Sequence, residues 1–101
     1  MRETFGEYIK LLRKEKGLTL IELAALLKMD FANLSKMENG KRDFDKRKLS
    51  KLAAIFDLRV EELRDEYKSD QLAKHIYDLG CSAEVLKVAE EKAEYRRTLK
   101  K

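Results

Sequence analysis

The chain contains no proline, four glycines, one cysteine and one histidine among 101 residues. Without proline there are few forced breaks in the backbone, which favours helices joined by short turns. A lone cysteine, Cys81, forms no internal disulfide, so nothing points to an oxidising compartment. Cys81 and His75 together make neither a metal-ligand cluster nor a nucleophile–base–orienter set, so no catalytic residue, metal site or cofactor is expected. His75 reads as a surface or interface residue, Cys81 as a partly buried small residue after a helix end. No apolar run approaches the roughly 18–20 residues that cross a bilayer. The opening MRETFGEYIK lacks the apolar stretch of a secretory signal. The expected location is therefore the cytoplasm, with no membrane partner.

What is present is apolar and charged in almost equal measure. Hydrophobic residues make up 44% and charged residues 42%, enough for one compact core under a highly charged surface, with an arm appended. The net charge is +4, which is compatible with nucleic acid but weak alone. The basic residues Lys36, Lys41, Arg42, Lys46, Arg47, Lys48 and Lys51 face only Glu38, Asp43 and Asp45 in the same stretch. Charge alone leaves open whether this is a binding surface or a solvated helix face.

Helix signals divide the chain. Thr4 and Glu7 have capping-box spacing, and Phe5, Ile9 and Leu12, with Tyr8 beside them, recur on one face, predicting a helix over about 5–16 closed by Gly17. Thr19 and Glu22 form a second capping box opening a helix over 20–27, buried through Leu23, Ala24 and Leu27. After a break at Lys28-Met29, Asp30 caps a third helix from Phe31 to about Glu38, with Leu34 and Met37 inward and Asn39-Gly40 as the turn. Two short capped helices joined by about three residues are the helix-turn-helix pattern. A fourth helix is expected from Asp45 to about Phe56. A fifth starts near Val60 and reaches Leu79, with Ser69 as a possible interruption. Gly80 ends it, and Ser82 caps a sixth over about 83–98.

Across residues 5–66 the sequence resembles the Cro/C1 repressor family, the Xre-like regulators. The resemblance is carried by LLRKEKGLTLIELAALLKMD, FANLSKMENGKR and KLSKLAAIFDLRVEEL. Its specific elements are Arg13, Gly17-Leu18-Thr19, Leu23-Ala24, Ser35, Glu38-Asn39-Gly40-Lys41 and Leu52-Ala53. It implies an all-α, five-helix, lambda repressor-like domain over residues 1–66, with a C-terminal helical arm over 67–101. It also implies a sequence-specific transcriptional regulator of double-stranded DNA, not an enzyme, with helix 31–38 in the major groove. The arm resembles that of small regulators found beside bacterial restriction-modification genes. Four positions depart from the family pattern. Leu20 replaces a phosphate-binding glutamine, Lys28 a turn glycine, Phe44 a proline, and Arg59 a small polar cap.

By match to the family motif, Phe31, Ala32, Asn33 and Lys36 are the base-contacting positions. Asn33 would pair with adenine or another base and Lys36 with guanine acceptors, with Phe31 or Ala32 against thymine methyls. The bland alternatives are a cap-supporting Asn33, a phosphate-only Lys36 and a Phe31 folded back onto the protein. Phosphate contacts fall to Thr19, Asn39, Lys41 and Arg42, with amides at the starts of the second and fourth helices. Arg13 and Glu38 are implied as a structural ion pair.

The arm adds Leu72, Ile76, Leu79, Val85, Leu86, Val88, Tyr95 and Leu99, with Val85, Val88, Lys92, Tyr95 and Leu99 at alternating 3 and 4 spacing. These need an apolar partner, either the chain's own core or a second copy. The favoured expectation is a homodimer through Leu72, Ile76, Leu79, Val85, Val88, Tyr95 and Leu99. The competing function is a helical protein-interaction module, or an antitoxin, that uses the helix-turn-helix as scaffold.

Overall fold

The computed structural model describes residues 3–99; residues 1–2 and 100–101, the ends of the expected division into 1–66 and 67–101, lie outside the described residues. Six α-helices are present among the described residues, and no strand. They are α1 (Phe5–Glu15), α2 (Leu20–Leu26), α3 (Phe31–Glu38), α4 (Leu49–Ile55), α5 (Val60–Leu79) and α6 (Ala83–Leu99), with a 3₁₀ turn at Lys46–Lys48 before α4. The all-helical, Cro/C1-type architecture with a C-terminal extension is the one the family resemblance implies.

The helix starts follow the side chains that satisfy their free amides. At Thr4 and Thr19 the hydroxyl accepts from Glu7 N and Glu22 N, and each glutamate returns to the cap amide, so both capping boxes are complete. Asp30 Oδ1 accepts from Ala32 N at 3.4 Å to open α3. The ends of α1 to α5 share one solution, the pair of reversed hydrogen bonds that closes a helix around a left-handed residue. After α2, Lys28 N donates to Ala25 O and Met29 N to Ala24 O. The same pairing closes α4 through Asp57 and α3 through Gly40. Lys28 and Asp57 both have φ near +55°, which a side chain tolerates poorly and aspartate better than lysine.

The fourth helix differs from expectation at its start. Asp45 Oδ1 accepts from Arg47 N at 2.9 Å and its carbonyl from Lys48 N at 2.8 Å, so the first turn is tight and 3₁₀, and α4 begins at Leu49. In α5, Ser69 turns its hydroxyl back to Glu66 O at 3.0 Å and the helix runs on uninterrupted.

The chain divides into two compact units, Met1–Asp70 and Gln71–Lys101. The first holds the whole buried core: Phe5, Ile9, Leu23, Ala24, Leu27, Leu34, Met37, Phe44, Leu49, Leu52, Ala53 and Leu63. Leu20 packs partly buried against this core, as do Leu12 and Tyr67. Phe44 lies edge-on to Phe5, with ring centroids 5.1 Å apart, and Phe5 meets Tyr67 in the same way at 5.4 Å. The Phe44 carbonyl accepts from the Tyr67 hydroxyl at 3.2 Å. Gly6 marks the closest approach of two elements. A Cβ there would lie 2.5 Å from Met37 O and 2.6 Å from Glu38 O, so only glycine lets the end of α3 sit against α1.

The second unit contains no buried residue among those described; Ile76, Cys81 and Leu86 are half-buried. Gly80, at φ +67°, closes α5, and Ser82 Oγ accepts from Val85 N to open α6.

Candidate nucleic-acid interface

The inward face of α3 is Leu34, Met37 and Glu38, all buried. Helical spacing turns Phe31, Ala32 and Lys36 outward, and all three are exposed, while Asn33 is half-buried. Phe31, 51% exposed, does not fold back onto the core. Asn33 does not serve the cap, which belongs to Asp30. Its Oδ1 instead accepts from Arg42 Nη1 at 2.8 Å.

The phosphate-binding positions proposed from the sequence surround α3. Thr19, Asn39, Lys41 and Arg42 are exposed. The Thr19 hydroxyl is engaged as a cap, and Asn39 Nδ2 leans towards Ser35 Oγ at 3.5 Å. The amides expected to hold an anion are already partly used. Thr19 N and Glu22 N close the α2 capping box, and Asp45 takes Arg47 N before α4. Leu20 lies against the core and brings no polar group to this surface.

The basic stretch is likewise divided by the fold. Lys48 Nζ donates to Leu27 O at 2.8 Å, placing a cation on the last carbonyls of α2, where the helix dipole favours it. Arg47 pairs with Asp45 through three side-chain hydrogen bonds. Those bonds hold the Asp45 carboxyl below its ordinary value and the Arg47 guanidinium above its own. Lys36, Lys41, Lys46 and Lys51 are exposed, with no ion pair to them among the described residues. Of the seven cations in this stretch, Arg47 and Lys48 are thus engaged within the fold, and Lys41 and Arg42 directly follow α3.

Behind α3, Arg13 Nε and Nη2 donate to the two carboxylate oxygens of Glu38 at 2.8 and 3.0 Å, and Nη1 donates to Leu18 O at 3.0 Å. The two side chains are 11% and 3% exposed. The hydrogen bond to Glu38 raises the Arg13 guanidinium above its ordinary value, against the opposing effect of burial. This fork ties α1 to the last residue of α3 and to the entry into α2.

Three features of this arrangement were not read from the sequence: the Gly6 contact, the Lys48–Leu27 bond and the Arg42–Asn33 bond. A glycine inside an apolar helical face was the one available signal for the first. No group of three or more histidine, cysteine or carboxylate side chains suited to a metal occurs among the described residues. Nor is any of their helices long and apolar enough to cross a membrane.

Two short capped helices over a shared buried core, the second presenting Phe31, Ala32 and Lys36 outward, define a helix-turn-helix protein. The chain belongs to the Cro/C1-type helix-turn-helix family, HTH_3, whose model matches residues 9–63, a family of transcription regulators and not of enzymes. It is 34% identical over 85 residues to the HTH-type transcriptional repressor RghR of Bacillus subtilis (strain 168), an alignment covering 78% of this chain and 62% of that protein. Among solved structures it is similar to the SinR protein/SinI protein complex, with TM-score 0.55, 26% identity, and coverage of 94% of this chain and 99% of that one.

Proposed function

We propose that this protein is a sequence-specific transcriptional regulator that binds double-stranded DNA as a homodimer, with α3 in the major groove. The observation that carries the reading is the outward face of α3. Asn33 and Lys36 stand on a helix fixed by a buried ion pair, flanked by the exposed cations Lys41 and Arg42. Rigid elements present base-reading side chains more accurately than loops do, and cations beside the helix supply the sequence-independent grip. Phe31 and Ala32 add apolar contacts to base methyls, and Thr19 and Asn39 extend the phosphate contacts. The similarity to a named repressor supports repression by promoter occlusion.

The arm supplies the second half of the reading. Leu72, Leu79, Val85, Val88, Tyr95 and Leu99 are each between 43% and 64% exposed, and Ile76 is half-buried. An apolar set of this kind on one chain calls for a partner surface. A second copy fits because a two-fold dimer presents two recognition helices to half-sites about 34 Å apart. The second half-site contact then becomes intramolecular. A different helical protein is the second reading for the same surface, favoured by the similarity to a structure that is itself a complex of two proteins.

Titration of a fluorescent duplex at increasing salt tests DNA binding. The regulator reading expects log affinity to fall linearly with log salt, with a slope of several phosphates, and Lys41→Ala to reduce that slope by about one. Binding that is indifferent to salt, or absent, would favour the protein-interaction module.

A further inference from the structure

Resting on the DNA-reading role of α3, we infer that Arg42 is a specificity-positioning residue: it holds the Asn33 amide so that Asn33 meets the base as a hydrogen-bond donor. The two residues lie nine positions apart, Asn33 near the start of α3 and Arg42 in the bend that follows it, and Arg42 Nη1 reaches Asn33 Oδ1 at 2.8 Å. A guanidinium has only donors, so the amide group facing it must be the oxygen. The amide is a planar fork, so turning its oxygen to Arg42 directs the Nδ2 hydrogens elsewhere. The buried anchors Leu34 and Met37 fix the helix that carries Asn33.

The consequence for base choice follows from the edges of the base pairs. Bidentate recognition of adenine needs the amide oxygen to accept from N6 while Nδ2 donates to N7. Arg42 takes one of the two lone pairs of that oxygen and draws it towards the bend, so the group Asn33 is left to turn to a base is chiefly its Nδ2 donor. Donors match guanine, which presents N7 and O6, or the O4 of thymine. Arg42 keeps further N–H groups for a phosphate, so one side chain links the grip on the backbone to the readout of a base. Alanine at 42 frees the oxygen and restores the adenine mode.

The test uses the full-length chain and the duplex it selects from random DNA. Wild type, Arg42→Ala, Asn33→Ala and the double variant are titrated against that duplex and against the other three base pairs at the position where Asn33→Ala loses discrimination. The expected result is that Arg42→Ala shifts relative affinity towards adenine at that position by at least about fivefold. In the Asn33→Ala background the same change lowers all four affinities equally. Arg42→Gln, which keeps an N–H donor without the charge, retains the wild-type order of preference at lower overall affinity. Arg42→Ala lowering all four affinities by one common factor in both backgrounds overturns the inference and leaves DNA binding intact. An Asn33→Ala variant with unchanged discrimination everywhere also overturns it. A wild-type chain that selects no duplex overturns both the inference and the DNA-reading role.

Discussion

Arg13 and Glu38 face each other across the interior as a two-point fork, with both carboxylate oxygens accepting from one guanidinium and a third guanidinium bond reaching Leu18 O. The pair sits on the inward side of α3, away from the exposed Phe31, Ala32 and Lys36. Removing one member leaves the other as an uncompensated buried charge, which costs more than removing both. Arg13→Ala is therefore expected to destabilise the fold by about 3 kcal/mol or more. Arg13→Met combined with Glu38→Leu is expected to be clearly milder. Urea unfolding of the three proteins checks this; equal losses for single and double variants would contradict a coupled pair.

Gly6 is expected to resist substitution even though alanine is the better helix former. The added methyl would meet the carbonyls of Met37 and Glu38 at distances no atom pair sustains. The end of α3 must then move away, at a cost of about 1–3 kcal/mol. Gly6→Ala should lower the thermal midpoint. A midpoint at or above wild type would show that α1 and α3 are not in close contact.

Tyr67 supplies a pH dependence. Burial, and then the charges of Asp43 and Asp45, raise its phenol above the ordinary value of 10.0. The fold thus favours the neutral phenol, which donates to Phe44 O. A raised group contributes stability that is complete below the unfolded value and lost as pH climbs through the folded one. Tyr67→Phe should cost about 0.5–1.5 kcal/mol at neutral pH, and the gap to wild type should narrow above about pH 10. Tyr8, also raised, is common to both proteins and cancels. Denaturant midpoints at the two pH values decide it; a constant gap would remove Tyr67 as the source.

The arm is expected to hold two copies together. Full-length protein should sediment as a dimer, and Val88→Asp, at an exposed position, should sediment as a monomer with unchanged helix content. Deleting residues 69–101 should weaken operator binding strongly. A strictly monomeric wild-type chain that still binds one operator tightly would overturn the homodimer and favour a different helical partner.

Local chemistry made much of the fold legible. Thr19 with Glu22, and Asp30, announce their helices because a cap and the amide it satisfies are two or three residues apart. Leu23, Ala24, Leu34 and Met37 fall inward because helical spacing allows little else. What escaped reading depends on separations no local pattern encodes. Arg42 meets Asn33 nine residues away, and Lys48 reaches Leu27 across twenty-one. Asp45 caps the start of the segment leading into α4 as expected, but the turn it opens is 3₁₀, because Asp45 is a good cap for a 3₁₀ turn as well as for an α-helix. Lys28 stood out against the family's glycine, whereas Asp57 in the same conformation carried no such contrast.

Selection of bound duplexes from random DNA tests the central claim most directly. The account predicts a recovered motif of two inverted half-sites whose centres lie about one helical turn apart, with discrimination at the position read by Asn33 or Lys36 lost in the corresponding alanine variant. A recovered pool without sequence preference, or a motif that neither alanine variant alters, would contradict it.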